Sequence, residues 1–208
     1  MTKAPRVGVL ALQGDVAEHA RMLRTCGAEV QLVKTGQELA VVDALVIPGG
    51  ESTTIGMLAT RENLIAPLRE RISSGMPTLG TCAGLIFLAK DLIDARPDQV
   101  SIGALDATVR RNAFGRQVDS FEQDVQIQGL AAPFHAVFIR APWVEKVGQA
   151  VEVLATVAVN NVAVVKAPVD SVAEDKIVMV RQANVLATAF HPELTKDSRV
   201  HEIFCKSI

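Results

Sequence analysis

The sequence has no tyrosine and a single tryptophan, and aromatic residues make up 4% of its 208 positions. Nowhere do Lys and Arg cluster and interleave with aromatics, as a nucleic-acid surface requires. Neither sign of charge dominates: 21 basic against 23 acidic residues leave a formal net charge of -2. Nucleic acid is therefore not an expected partner. Long apolar runs are also missing. The run Val7 to Leu12 breaks at Gln13, Gly14 and Asp15, too short for a secretory core and far too short to cross a bilayer. No membrane association is expected, and the chain reads as soluble and unexported.

Cysteine is scarce as well. Cys26, Cys82 and Cys205 are odd in number and widely spaced, with no Cys-x-x-Cys pair and no histidine at metal-ligand spacing, so neither a disulfide framework nor a zinc site is indicated. Three free thiols fit a reducing cytoplasm, and no metal or other cofactor is expected. Any one cysteine is by default a small buried apolar residue, so context must set Cys82 apart. Internal repeats, low-complexity segments and linkers are absent too, and a 49% hydrophobic share suits one domain over 1–208 with a sizeable core.

Short β-rich runs alternate with helical patterns in the first half, which predicts an α/β fold with a mainly parallel central sheet flanked by helices. Arg6 to Leu12 reads as a strand, Asp15 to Cys26 as a helix stopped by Gly27, and Glu29 to Val33 and Ala44 to Ile47 as strands. The last of these ends in Pro48-Gly49-Gly50, a sharp turn at the kind of strand end where ligand loops sit. Thr54 to Thr60 and Leu64 to Ser73 read as helices, Pro77 to Gly80 as a strand, and Leu85 to Lys90 as a helix. The second half carries shorter alternating runs (Gln123 to Ile127, Ala136 to Arg140, Val151 to Val159, Val162 to Lys166, Ile177 to Arg181), which predict antiparallel additions or hairpins before a terminal helix over Arg199 to Phe204.

Cys82 falls between a strand and a helix start, inside Gly80-Thr81-Cys82-Ala83-Gly84. Small neighbours let the backbone bend so that a nucleophile projects from the turn. The same glycines could serve only helix-sheet packing around a buried thiol. His191-Pro192-Glu193 offers a base: in an extended segment residues i and i+2 share a face, so Glu193 can steady one imidazole nitrogen and leave the other for a thiol. Alone, it could equally be a polar turn after Val185 to Phe190. The glycines of Pro48 to Thr54 allow main-chain N–H groups to converge as an oxyanion hole does, with Gly50 as one donor and the amide of Ala83 as the second. Ser52 or Thr53 could also simply cap the next helix. His19, His135 and His201 lack a comparable sequence neighbour and read as surface or structural residues.

Together these segments resemble the class I, triad-type glutamine amidotransferases, with their three-layer, flavodoxin-like architecture. Val9 to Gly14, Pro48 to Thr54, Gly80 to Gly84, Arg111 to Gln117, Phe138 to Pro142 and His191 to Leu194 resemble more narrowly the glutaminase subunits of pyridoxal 5'-phosphate synthases, and the likeness spans nearly the whole chain. The resemblance implies Cys82 as nucleophile, His191 as general base and then acid, and Glu193 as its orienting partner. It implies Gly50, Glu51, Ser52, Arg111, Ile139 and Arg140 as the L-glutamine-binding positions, no cofactor, and a barrel-shaped synthase subunit as partner, with the Gln13-Gly14 region near the contact. The chemistry of glutamine is compatible, since its α-carboxylate suits an arginine and its α-ammonium needs an acceptor. One departure is a long stretch around 160–184, read as an inserted hairpin or loop. Two other readings stay open on sequence alone: a cysteine peptidase or thiol hydrolase on the same architecture, and a non-catalytic regulatory subunit.

Overall fold

The computed structural model describes residues 4–113, 120–158 and 175–208. The expected strand at Val162 to Lys166, most of the 160–184 segment and the Phe114 to Gln117 part of one motif lie outside them. Strands β1 (Arg6–Leu10), β2 (Glu29–Val33), β3 (Ala44–Ile47) and β4 (Thr78–Thr81) run in the spatial order β2-β1-β3-β4, all parallel. Every residue of β3 and β4 is buried, as expected for strands covered on both faces.

The order reverses at β1, and right-handed crossovers applied to that reversal put α1 (Val16–Thr25) on one face of the sheet. They put α2 (Gly36–Ala40), α3 (Ser52–Arg61) and α4 (Ile65–Ser73) on the other. Helix α5 (Ala83–Leu88) packs on α3, and α6 (Arg199–Cys205) packs on α1. The layers follow from local sequence: α1 buries His19, Ala20, Met22 and Leu23 along one stripe, and α2 begins in a reciprocal capping box between Thr35 and Glu38.

Beyond β4 the sheet continues through β12 (Val185–Thr188), parallel to β4, and then turns antiparallel through β11 (Lys176–Gln182), β9 (Trp143–Val147) and β6 (Leu105–Arg110), with β5 (Ala89–Ile93) at the edge and β10 (Glu152–Val157) paired to β11. Strands β7 (Ser120–Val125) and β8 (Phe134–Ile139) form a separate hairpin. The helix expected over Leu85 to Lys90 stops at Leu88 and runs straight into β5. The apolar run before His191 contains β12, whose pairing with β4 brings Thr188 opposite Thr81. That register carries Cys82 and His191 past the same edge of the sheet, although more than a hundred residues separate them.

Candidate active site

Four chain segments leave the carboxyl ends of the parallel strands β1, β3, β4 and β12, and they meet. Cys82, directly after β4, takes φ 47 and ψ -101, a left-handed conformation that strains a residue with a side chain by about 1–3 kcal/mol. The glycines flanking it permit the turn. A Cβ on Gly84 would sit 2.2 Å from the Ile47 carbonyl oxygen, and one on Gly80 2.5 Å from Leu88 Cδ1. The Cys82 amide donates to Thr188 O at 2.8 Å, and its thiol points to Ile139 O at 3.9 Å.

His191 is fixed through its main chain, whose N–H donates to Val137 O at 2.8 Å. The segment is not extended as expected: Pro192–Leu194 forms a 3-10 turn, because His191 bends at φ -103 and ψ 87 before the proline. The turn still delivers the intended contact, with His191 Nδ1 at 2.7 Å from Glu193 Oε1. A second carboxylate is present, Asp15 Oδ2 at 3.2 Å from the same nitrogen. With Nδ1 held by both, the other ring nitrogen is left over, and the Cys82 sulfur lies close enough to raise the His191 pKa. Gly49 leaves room for the ring, since a Cβ there would approach His191 Cε1 to 2.4 Å.

Burial pulls the His191 pKa down, but its interactions with Asp15, Cys82 and Glu193 outweigh it and push it up to about 12. Its hydrogen bond in turn draws the Asp15 carboxyl below its ordinary value, against burial. Glu193, wholly buried, is shifted upward by desolvation despite the hydrogen bond and charge of His191. The surroundings of His191 therefore favour its protonated form.

The remaining candidates lie around this centre. Gly50 has φ 144 and packs against Gln13, whose Oε1 accepts from the Glu51 N–H at 2.7 Å. Glu51, rather than Ser52 or Thr53, caps α3: its carboxylate accepts from the N–H groups of Thr53 and Thr54 at 3.1 and 2.7 Å. The same carboxylate pairs with Arg111 at 3.2 Å, so two of the expected glutamine-binding residues are already in contact. Ser52 is buried with its hydroxyl unpartnered among the described residues. Ile139 ends β8 with its carbonyl toward the thiol, and Arg140 follows at φ 44. Ala83 is the first residue of α5, so its amide has no acceptor within the helix.

Sequence reasoning missed Asp15, His19 and His201. Asp15 had a visible signal, a polar break directly after the first strand. His19 lies on the apolar stripe of α1 and His201 between buried neighbours of α6; both are fully buried and contact one another. His135, by contrast, is on the surface with Glu122 and Asp124.

A thiol on a strained strand-to-helix turn beside an imidazole that is hydrogen-bonded to a carboxylate is the arrangement of nucleophilic cysteine enzymes built on an α/β sheet. A profile of the SNO glutamine amidotransferase family matches residues 9–208, and the chain belongs to that family. It is 57% identical over 205 residues to the Pyridoxal 5'-phosphate synthase subunit PdxT of Frankia casuarinae, covering 98% of this chain and 95% of that protein. It is 58% identical over 201 residues to the subunit of the same name from Frankia alni, covering 96% and 93%. A solved structure described as a glutamine amidotransferase superposes with a TM-score of 0.84 at 46% identity, covering 97% of both chains.

Proposed function

We propose that this protein is the glutaminase subunit of a pyridoxal 5'-phosphate synthase, hydrolysing L-glutamine to L-glutamate and passing the ammonia to a synthase subunit. The observation that carries this reading is the meeting of Cys82, His191 and Glu193 at one sheet edge in a chain that matches PdxT subunits over nearly its full length.

In the proposed reaction the Cys82 sulfur, as thiolate, attacks the side-chain carboxamide carbon, and the carbonyl electrons move onto oxygen. The amides of Gly50 and Ala83 serve as the oxyanion donors. His191 gives its proton to the departing nitrogen, ammonia leaves, and a thioester remains. Water then attacks the thioester while His191 takes its proton, and collapse returns glutamate and the free sulfur. Glu193 keeps Nδ1 protonated so that the opposite nitrogen does the exchange. Gly50, Glu51, Ser52, Arg111, Ile139 and Arg140 form the glutamine subsite.

Free ammonia in neutral water is protonated and lost to chemistry, so the product is useful only beside a receiving enzyme, a hetero-oligomeric synthase partner. The chain is taken as one domain over 1–208, acting in the cytoplasm. Among the described residues no helix is long and apolar enough to cross a membrane.

The test is glutamate release from glutamine, measured with and without the synthase subunit. Cys82→Ala should abolish glutamine-supported synthesis and leave ammonia-supported synthesis at the wild-type rate. Peptide cleavage without glutaminase activity, or glutamine-dependent synthesis that survives the substitution, would reject the proposal.

A further inference from the structure

Behind the site lies a buried polar cluster that the proposed chemistry does not use. His19 Nε2 is 3.0 Å from Thr81 Oγ1 and 3.3 Å from Glu193 Oε2, while His19 Nδ1 is 3.0 Å from His201 Nε2. All four side chains are fully buried. Glu193 Oε2, the carboxylate oxygen turned away from His191, takes no hydrogen bond from any described residue, and His19 Nε2 is the ring nitrogen that faces it. Arg21 closes the same corner by donating to Glu193 O at 3.2 Å.

We infer that His19 is a positioning residue for the glutaminase reaction, donating its Nε2–H to the threonine that precedes the nucleophile and setting that N–H beside the unbonded carboxylate oxygen of Glu193, with His201 fixing the proton on that nitrogen. The inference rests on the reading of Cys82 and His191 given above.

The protons of the cluster can be assigned from contacts. Burial drives the His19 pKa well below its ordinary value, helped by the charges of His201 and His191, and lowers that of His201 to about 4, helped by Arg21. Each ring is therefore neutral at neutral pH and carries one proton. If His19 held it on Nδ1, its bare Nε2 lone pair would face a carboxylate oxygen at 3.3 Å, and His201 would have to bear its own proton on Nδ1, which has no partner among the described residues. A buried donor left unmade costs about 1–3 kcal/mol, and the facing lone pairs add repulsion. With the proton on Nε2, His19 donates to Thr81, turns the positive end of that N–H toward the Glu193 side and accepts from His201 Nε2–H. Donation then runs in one direction, from α6 through α1 to the end of β4.

The consequence is mechanical. One imidazole, hydrogen-bonded to the end of β4 that carries Cys82, also packs against the carboxylate of the turn that carries Glu193, and Glu193 sets the ring plane of His191. Without the His19 N–H beside it, that carboxylate is free to rotate about its last bond and swing His191 away from the sulfur.

Two substitutions separate this role from simple core filling. A glutamine side chain carries an amide nitrogen near the place of Nε2, whereas asparagine carries one near Nδ1. In the assembled synthase, His19→Asn is expected to lower kcat for glutamine hydrolysis by about 10- to 100-fold with KM within about twofold, the range seen when an outer partner of a functional imidazole is removed. His19→Gln is expected to keep most of the rate, and both variants should support ammonia-driven synthesis normally. Wild-type kcat in His19→Asn, or equal losses in both variants that follow their loss of folded protein, would overturn the inference. Should His19→Asn fail to fold, ring-nitrogen NMR of the wild-type chain labelled with 15N-histidine decides: an Nε2–H tautomer for His19 supports the assignment, and an Nδ1–H tautomer ends it. Loss of wild-type glutaminase activity in Cys82→Ala is the separate control. Its absence would sink the catalytic reading, not the tautomer.

Discussion

Two histidines in this chain are each gripped by two carboxylates, and their surroundings give them opposite characters. His135 spends both ring nitrogens, Nε2 on Glu122 at 2.7 Å and Nδ1 on Asp124 at 3.0 Å, on the exposed face of β8. His191 places both carboxylates on Nδ1, at 2.7 and 3.2 Å, and keeps the other nitrogen for Cys82 in a buried pocket. Carboxylates raise the pKa of both. The lesson is that the partners alone do not make a base: a nitrogen must be left over, water must be kept off, and a reactive atom must face it.

The sharpest way to break the comparison is to remove each ring in turn. His191→Asn should lower glutamine turnover by at least about 10³-fold, because neither proton transfer has another carrier. His135→Asn should leave kcat and KM within about twofold, since surface pairs of this kind contribute little. Steady-state glutamate release in the assembled synthase measures both. A large loss in His135→Asn would mean that the hairpin takes part in the reaction.

Part of this contrast was legible in the sequence. His191 was found because Pro192 and Glu193 follow it directly and because Cys82 sits in an unusual run of small residues. Strands β2 and β3 were read to the residue, since turn residues bound them on both sides. What escaped depends on long-range contact. The polar break at Asp15 does not name its partner, and nothing near His19 announces a catalytic neighbour, because the carboxylate and imidazole they meet lie some 170 residues away and become adjacent only through the β4–β12 pairing. Strand β5 escaped for a related reason: no breaker separates Leu88 from Ala89, and the change from helix to strand is imposed by pairing with β6. The two carboxylate-bound histidines could not be ranked from pattern alone either, as Asp124 and Glu122 reach His135 only across a hairpin.

Acid should next sharpen the difference between buried and exposed imidazoles. His201 is held neutral, its pKa lowered from 6.5 to about 4 by burial and by Arg21. Below pH 6.5 the unfolded chain takes up a proton that the folded chain refuses, so stability falls as pH drops from 6.5 towards 4. That interval corresponds to about 3 kcal/mol at about 1.4 kcal/mol per pH unit. His135 has the opposite sign. Its folded pKa is raised by Glu122 and then Asp124, so whatever it contributes is present below pH 6.5 and is lost as pH rises through the raised value. Urea midpoints at pH 7 and pH 4.5 should show the acid loss in the wild type and a shallower loss in His201→Leu, with His135→Asn unable to relieve it. Equal slopes in wild type and His201→Leu would show that His201 is not the buried neutral group described here.

The smallest expected effect concerns a pair that lies between these extremes. Glu51 and Arg111 meet at 3.2 Å with side chains 52% and 12% exposed, and Glu51 is also committed to capping α3. A half-exposed pair contributes under about 1 kcal/mol to stability, so Arg111→Lys should move the thermal midpoint little. Binding is another matter. A guanidinium can grip a carboxylate through two parallel N–H bonds, which an ammonium cannot reproduce. If Arg111 holds the α-carboxylate of glutamine, Arg111→Lys should raise KM roughly tenfold with kcat within about threefold, the mark of an interaction made equally in ground and transition states. A fall in kcat at unchanged KM would instead place Arg111 in the chemistry, acting through Glu51 and the loop that carries Gly50. The KM-against-kcat split therefore decides whether this pair belongs with the exposed cluster, as a binding surface, or with the buried one.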